Sequence, residues 1–159
     1  MNFFETIKKD IINTIHSNPY FKDLTFLNNP EDINPNNWNI NRAIGVVSID
    51  SLYNDVNETF CDDYMVKQTV TIQYHVKPDY HHGDWESNLN LVQARLIHTI
   101  ESALKKGTLF SMPQDFDFNF KQGMVAQIKN LKVRDKSFSK CSIIEYELRY
   151  DLGKVIDDE

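Results

Sequence analysis

The sequence predicts an α+β domain, a mainly antiparallel β-sheet with helices packed on one face, in the order α-β-β-α-β-β. Three patterns lead there. Residues 64–76 alternate apolar and polar side chains, residues 85–106 carry an apolar stripe at spacings of three and four, and residues 144–150 alternate again. Period two is the signature of a half-buried strand and period 3.6 that of an amphipathic helix, so the helix between the strands must lay its stripe on a sheet.

The elements follow in chain order. Phe4, Ile7, Ile11 and Ile15 fall on one stripe, with Lys8, Lys9 and Asn13 elsewhere, so the chain opens with a helix. Asn2 and Glu5, three apart, form a candidate capping box, and Asn18-Pro19 ends the helix because proline pushes its predecessor out of the helical region. The few lysines are offset by Glu5 and Asp10, so this stripe suits core packing better than a membrane surface. Residues 18–41 read as a long Asn/Pro-rich loop with turn signals at Pro30 and Pro35 and room for a short strand at 24–27. Connections of that length are usually functional or ordered by a partner.

"AIGVVSI", residues 43–49, is apolar on both faces, as an interior strand is. An acidic segment with Asp50, Asp55, Glu58, Asp62 and Asp63 reads as a solvated loop. In the long strand that follows, Tyr64, Val66, Gln68, Val70, Ile72, Tyr74 and Val76 share one face. Lys67, Thr69, Thr71, Gln73 and His75 share the other, which places His75 away from the core. Trp85, Leu89, Val92, Leu96, Ile100 and Leu104 stripe the second helix, Asp84 or Ser87 can cap its start, and Gly107 sits at its C-terminal cap. Phe116, Phe118 and Phe120 alternate with Asp117, Asn119 and Lys121, as in a short one-sided strand or an extended arm. Residues 124–134 read as a strand whose apolar phase shifts near Lys129-Asn130, as at a β-bulge. Its hairpin partner turns Ile144, Tyr146, Leu148 and Tyr150 inward and Glu145, Glu147 and Arg149 outward, and 153–159 is a mobile tail. With no internal repeat or low-complexity linker, 1–159 is one domain.

A net charge of −6 gives no basic footprint for phosphate binding. Cys61 and Cys141 lie far apart with no C-x-x-C spacing; a zinc knuckle or a disulfide framework needs more than this, and the pair suits two reduced thiols. The first residues lack the basic and long apolar parts of a signal peptide, and no apolar run is long enough to span a membrane, so the expected product is soluble.

The most chemically suggestive stretch is "HVKPDYHHGDWE", residues 75–86, with His75, His81, His82, Asp79, Asp84 and Glu86. A structural metal site would need three or four converging ligands, whereas His82 and Asp84 alone make a weak surface chelate. Pro78-Asp79 matches the start of a PD-(D/E)-x-K nuclease signature, but Glu147-Leu148-Arg149 lacks its lysine. The common phosphate-loop, dinucleotide, nucleophile-elbow and zincin motifs are missing. The stretch therefore reads as a polar strand-to-helix junction, with no catalytic residue, metal or cofactor expected.

Taken together, "FFETIKKDIINTI", "AIGVVSI" with its acidic loop, "MVKQTVTIQYHV", the proline-bearing loop into "GDWESNLNLVQARL", and the closing "IIEYELRYDL" resemble the tail terminator (tail completion) proteins of long-tailed bacteriophages. The likeness spans residues 3 to about 152 and is architectural. It implies a non-enzymatic virion protein, at the neck of the tail and assembled in the host cytoplasm. Such a protein forms a homo-oligomeric ring, a hexamer in that family. The ring would stack on the major tail tube protein, end tail polymerisation and meet the head–tail connector, while DNA passes through without specific binding. The candidate interface residues are then Lys67, Thr69, Thr71, Gln73, His75, Asp79, His81, His82, Asp55 and Glu58. Another structural or binding module of the α+β class, or a metal-dependent hydrolase or nuclease using the 75–86 loop, are the alternatives.

Overall fold

In the computed structural model, which describes residues 2–39, 42–50, 65–77, 85–110, 116–121, 127–132 and 138–153, two helices lie against one face of a six-stranded mixed sheet. The helices are α1 (Phe3–Ser17) and α2 (Trp85–Lys106). The strands are β1 (Thr25–Leu27), β2 (Ile44–Ile49), β3 (Met65–Val76), β4 (Phe116–Phe120), β5 (Gln127–Lys132) and β6 (Phe138–Asp151). The α+β class stands, and the two short stretches that the sequence left open, 25–27 and 116–120, are both strands.

The sheet runs β1-β2-β3-β6-β4, with β5 on the same edge of β6 as β4. Strand β6 is the hub: one edge carries all of β3, while the other pairs β5 along Phe138–Ile143 and β4 along Tyr146–Tyr150. All pairings are antiparallel except β1 with β2. The register between β5 and β6 is unbroken from Gln127 to Lys132, so the expected bulge near Lys129-Asn130 is absent. Ile128 and Leu131 instead occupy register positions opposite Ser142 and Ser139, on different faces of the sheet. An apolar phase change arises that way without an extra residue.

Local chemistry sets the helix ends. Asn2 accepts from the Glu5 amide at 2.9 Å and Glu5 answers to the Asn2 amide at 3.3 Å, a reciprocal capping box. Asn18 closes α1 and its side chain then caps the 3-10 turn Pro19–Phe21. Gly107, at φ +70°, ends α2 in a Schellman arrangement, with Gly107 N–H to Leu104 O at 3.1 Å and Thr108 N–H to Ala103 O at 2.9 Å.

Ile7, Ile11 and Ile15 of α1 and Val92, Leu96 and Ile100 of α2 meet Val47, Val70, Ile72, Ile144, Tyr146 and Leu148 in the main core. Phe118 stacks on Tyr146 with ring centres 4.6 Å apart. Gln68 is buried on this face among apolar neighbours, and it is satisfied: its amide donates to Asp50 O at 2.8 Å and its carbonyl accepts from the Tyr150 hydroxyl. Where β1 joins the sheet, the Phe26 ring lies over Gly45; a Cβ there would sit 2.5 Å from the ring, so any other residue would have to push the ring aside.

The Asn/Pro-rich stretch is built from short, self-capped pieces. Asn29 and Asp32 bracket the turn Pro30–Asp32, and Asn34 caps Pro35–Asn37. Because β1 and β2 are parallel, the chain between them must cross over, and it does so on the face away from the helices. There Ile33 and Trp38 pack with Leu27 and Ile44 in a second small core. The tail expected at 153–159 lies outside the described residues except for Gly153, whose N–H donates to Asp151 Oδ1 at 2.8 Å, while Leu152 packs against the main core.

Candidate functional site

The face of the sheet opposite the helices carries the strand residues singled out from the sequence, and its two halves differ. Cross-strand register puts Ile44, His75 and Cys141 in one row and Val46, Gln73 and Ile143 in the next. Further along come Ser48, Thr71 and Glu145, then Thr69, Glu147 and Asn119, then Lys67, Arg149 and Asp117. The face passes from apolar and small to charged within one strand length.

The first half is covered. The crossover segment lays Trp38 over it, with the indole N–H donating to Arg42 O at 2.7 Å, and Lys77 Nζ reaches the Trp38 carbonyl at 3.3 Å. The turn at Pro30–Asp32 packs against β5, so the cover spans the sheet from the β1 edge to the β5 edge. His75 is consequently fully buried, which corrects the expectation of an outward residue. The alternation placed it on the right face; a distant segment closes that face.

The histidine is held in one tautomer. Gln73 Oε1 can only accept, so His75 Nε2 carries the proton and donates to it at 2.7 Å. Nδ1 then accepts from the Ser139 hydroxyl at 2.5 Å. Burial pushes the imidazole pKa down from 6.5 to about 4, since the charged form would lose its hydration without gaining a carboxylate. Cys141 Sγ lies 3.7 Å from Nε2 and turns its own proton to Ser142 O at 3.6 Å. A cysteine–histidine nucleophile would need an unprotonated nitrogen facing the thiol. Here the facing nitrogen is the protonated one and both residues are buried, so the pair is a packing element.

Among the described residues the second half is open. Lys121, just beyond β4, stretches over β6 to donate to Thr69 Oγ1 at 2.8 Å, with Glu145 3.7 Å from its ammonium. Thr69 is buried beneath it, while Lys67, Thr71 and Gln73 are half-buried. Glu145, Glu147 and Arg149 are also half-buried, and Asp117 and Asn119 are exposed. On the helix face two tyrosines are held neutral. Burial, then the charge and hydrogen bond of Glu101 at 3.0 Å, push the Tyr146 hydroxyl far up, and burial raises Tyr150 to about 12.

The structure thus brings Lys67, Thr69, Thr71, Gln73 and His75 onto one face and divides them between an open and a closed half. Asp55, Glu58, Asp79, His81 and His82 lie outside the described residues, as do the proposed caps at Asp84 and the side chain of Trp85. Among the described residues no group of three or more His, Cys, Asp or Glu gathers as metal ligands. No described helix is long and apolar enough to cross a membrane.

No protein-family model and no curated protein matches the chain. The site rests on its geometry alone.

Sequence reasoning missed Trp38, Ser139, Cys141 and Lys121. A signal for three of them was present. Strand β2 is apolar on both faces, which requires cover on both. The odd positions of β6 read Ser139, Cys141, Ile143 and then Glu145, Glu147, Arg149, a switch from closed to open at mid-strand. Lys121 carries no local signal, because its partners belong to other strands.

Proposed function

We propose that this chain is a structural virion protein that forms a ring on the end of a phage tail tube, ends tail polymerisation and joins the tail to the head connector. The observation that carries this reading is the open half of the outer face. It is a charged, two-signed surface mounted on the stiff centre of the sheet, with Lys67 and Arg149 in one row and Glu145 and Glu147 in the next two. Surfaces of this kind specify partner and register more than they add affinity, as repeated contacts between identical subunits require. The net negative charge also suits a ring through which DNA moves without adhering. The α+β architecture with helices on one face agrees with the likeness in the sequence.

Size-exclusion chromatography with light scattering, followed by electron microscopy of the protein mixed with tail tubes, tests it. The expected result is a ring of about six copies, alone or seated on tube ends, and shorter tubes when the protein is present during tube assembly. A monomer that neither binds tube ends nor limits tube length would contradict the reading.

A further inference from the structure

Two large apolar side chains stand out of the described surface, Tyr20 at 51% exposure and Leu91 at 50%, and they line the same cleft. Leu91 falls off the stripe of α2 that buries Leu89, Val92 and Leu96, so core packing gives no reason for it. Tyr20 is turned outward because its neighbour Phe21 is buried. Asn18, which caps their turn, also donates to Thr99 Oγ1 of α2 at 2.9 Å. The turn is thereby pinned to the helix, and the tyrosine stands on a fixed support.

A guanidinium lies beside them. Arg95 Cζ sits 4.1 Å from the centre of the Tyr20 ring, a cation–π contact that fixes the group in place. No described carboxylate or other acceptor pairs with it. Among the described residues that line the cleft, above Tyr74, Val76 and Val92, it is the sole charge. Across Tyr20 the next hollow carries both Arg42 and Asp23, so charge is balanced there and unbalanced here. A volume of about 280 Å³ falls below the range of about 300–1,000 Å³ usual for small-molecule sites and suits one or two side chains of a peptide. The complement is an aliphatic side chain for Leu91 and Tyr20 next to a carboxylate for Arg95.

The chain carries that complement itself. Residues 155–159 read Val-Ile-Asp-Asp-Glu, an aliphatic pair followed by three carboxylates, in a molecule of net charge −6. They cannot fill their own cleft. Gly153 is held to Asp151, which pairs with Met65, whereas the cleft lies by Tyr74 and Val76, nine to eleven residues along β3. That is roughly 30 Å of strand at ~3.3 Å per residue, while Ile156, three residues beyond Gly153, reaches no more than about 11 Å from it.

We propose that residues 155–159 of one copy bind the Tyr20–Leu91–Arg95 cleft of the next, with Val155 and Ile156 against Leu91 and Tyr20 and the acidic residues on Arg95. The tail leaves the sheet at one end and the cleft lies at the other, so the contact is head-to-tail, the heterologous kind that generates rings. It rests on the reading of the chain as a ring former and names a contact that holds the ring together.

The test titrates a fluorescein-labelled peptide of residues 153–159 with the dilute full chain and follows anisotropy. The expected result is saturable binding at low salt that weakens at least ~5-fold at high salt and at least ~10-fold in Arg95→Glu. A peptide with Asp157, Asp158 and Glu159 all replaced by lysine should fail on the parent and bind Arg95→Glu. No saturable binding up to about 1 mM chain, equal binding by Arg95→Glu, or no rescue by the lysine peptide would overturn the proposal. Should Arg95→Glu not fold, methyl spectra of the parent decide: the peptide should shift the Leu91 methyls, and shifts confined to other leucines overturn it. The ring is judged separately. Tube caps that form equally well in a full chain carrying Asp157→Asn, Asp158→Asn and Glu159→Gln overturn the contact and leave the ring standing. Peptide binding as expected in a chain that caps no tubes supports the contact and overturns the ring.

Discussion

The two halves of the outer sheet face share the central strands β3 and β6 and differ in what lies above them. Around His75, Cys141 and Ile143 the crossover between β1 and β2 returns over the sheet and shuts out water. Around Lys67, Glu145, Glu147 and Arg149 the described chain supplies the Lys121 side chain as a bridge. One face therefore acts as core at one end and as surface at the other. Polar groups that would be cheap in the open half become structural commitments in the closed half, where each needs a partner.

The contrast can be broken most forcefully at Trp38. Trp38→Ala removes the largest side chain of the small outer core and should cost about 3–5 kcal/mol in urea unfolding, with Cys141 gaining reactivity at neutral pH. A loss below about 1 kcal/mol would mean that the cover contributes little.

Next in size is the pH dependence of the closed half. His75 has a folded-state pKa of about 4, below its unfolded value of 6.5, so its contribution is complete above pH 6.5 and is lost as pH falls toward 4. The full difference is worth roughly 3 kcal/mol, and His75→Gln should flatten the decline in midpoint across that window. An unchanged decline would assign it to other groups.

Tyr150→Phe, on the helix face, leaves the buried Gln68 carbonyl without its hydroxyl donor and should cost about 1–2 kcal/mol. The smallest effect belongs to the open half. Lys121→Met breaks a bridge whose side chains are 33% and 23% exposed, and its cost should stay under about 1 kcal/mol and shrink with salt. A larger loss would show that the open half is part of the core after all.

Much of the fold was legible because it is written locally. The isoleucines of α1, the stripe of α2 and the alternation of β3 each declare a buried face within a single element, and those faces are the ones buried. The capping box at Asn2 and the glycine stop at Gly107 are likewise short-range. The candidate site was half legible. Alternation assigned Lys67, Thr69, Thr71, Gln73 and His75 to one face correctly, yet it cannot say what covers a face. That depends on Trp38 and Ile33, some forty residues before His75 in sequence. The supposed bulge in β5 failed for a related reason: apolar residues on both faces of a strand imitate a phase shift when only one sequence is read.

The division of the outer face is tested most directly by comparing two thiols in one dilute, monomeric sample at neutral pH: native Cys141 and a cysteine placed by Glu147→Cys, three register rows away on the same strand. Placing both in a Cys61→Ser background separates their reactions. The expected result is that the introduced thiol reacts within about tenfold of a free thiol, while Cys141 is slower by roughly a thousandfold or more, in keeping with a locally closed site. Comparable rates at the two positions would contradict the closed half and the cover that Ile33 and Trp38 make over it.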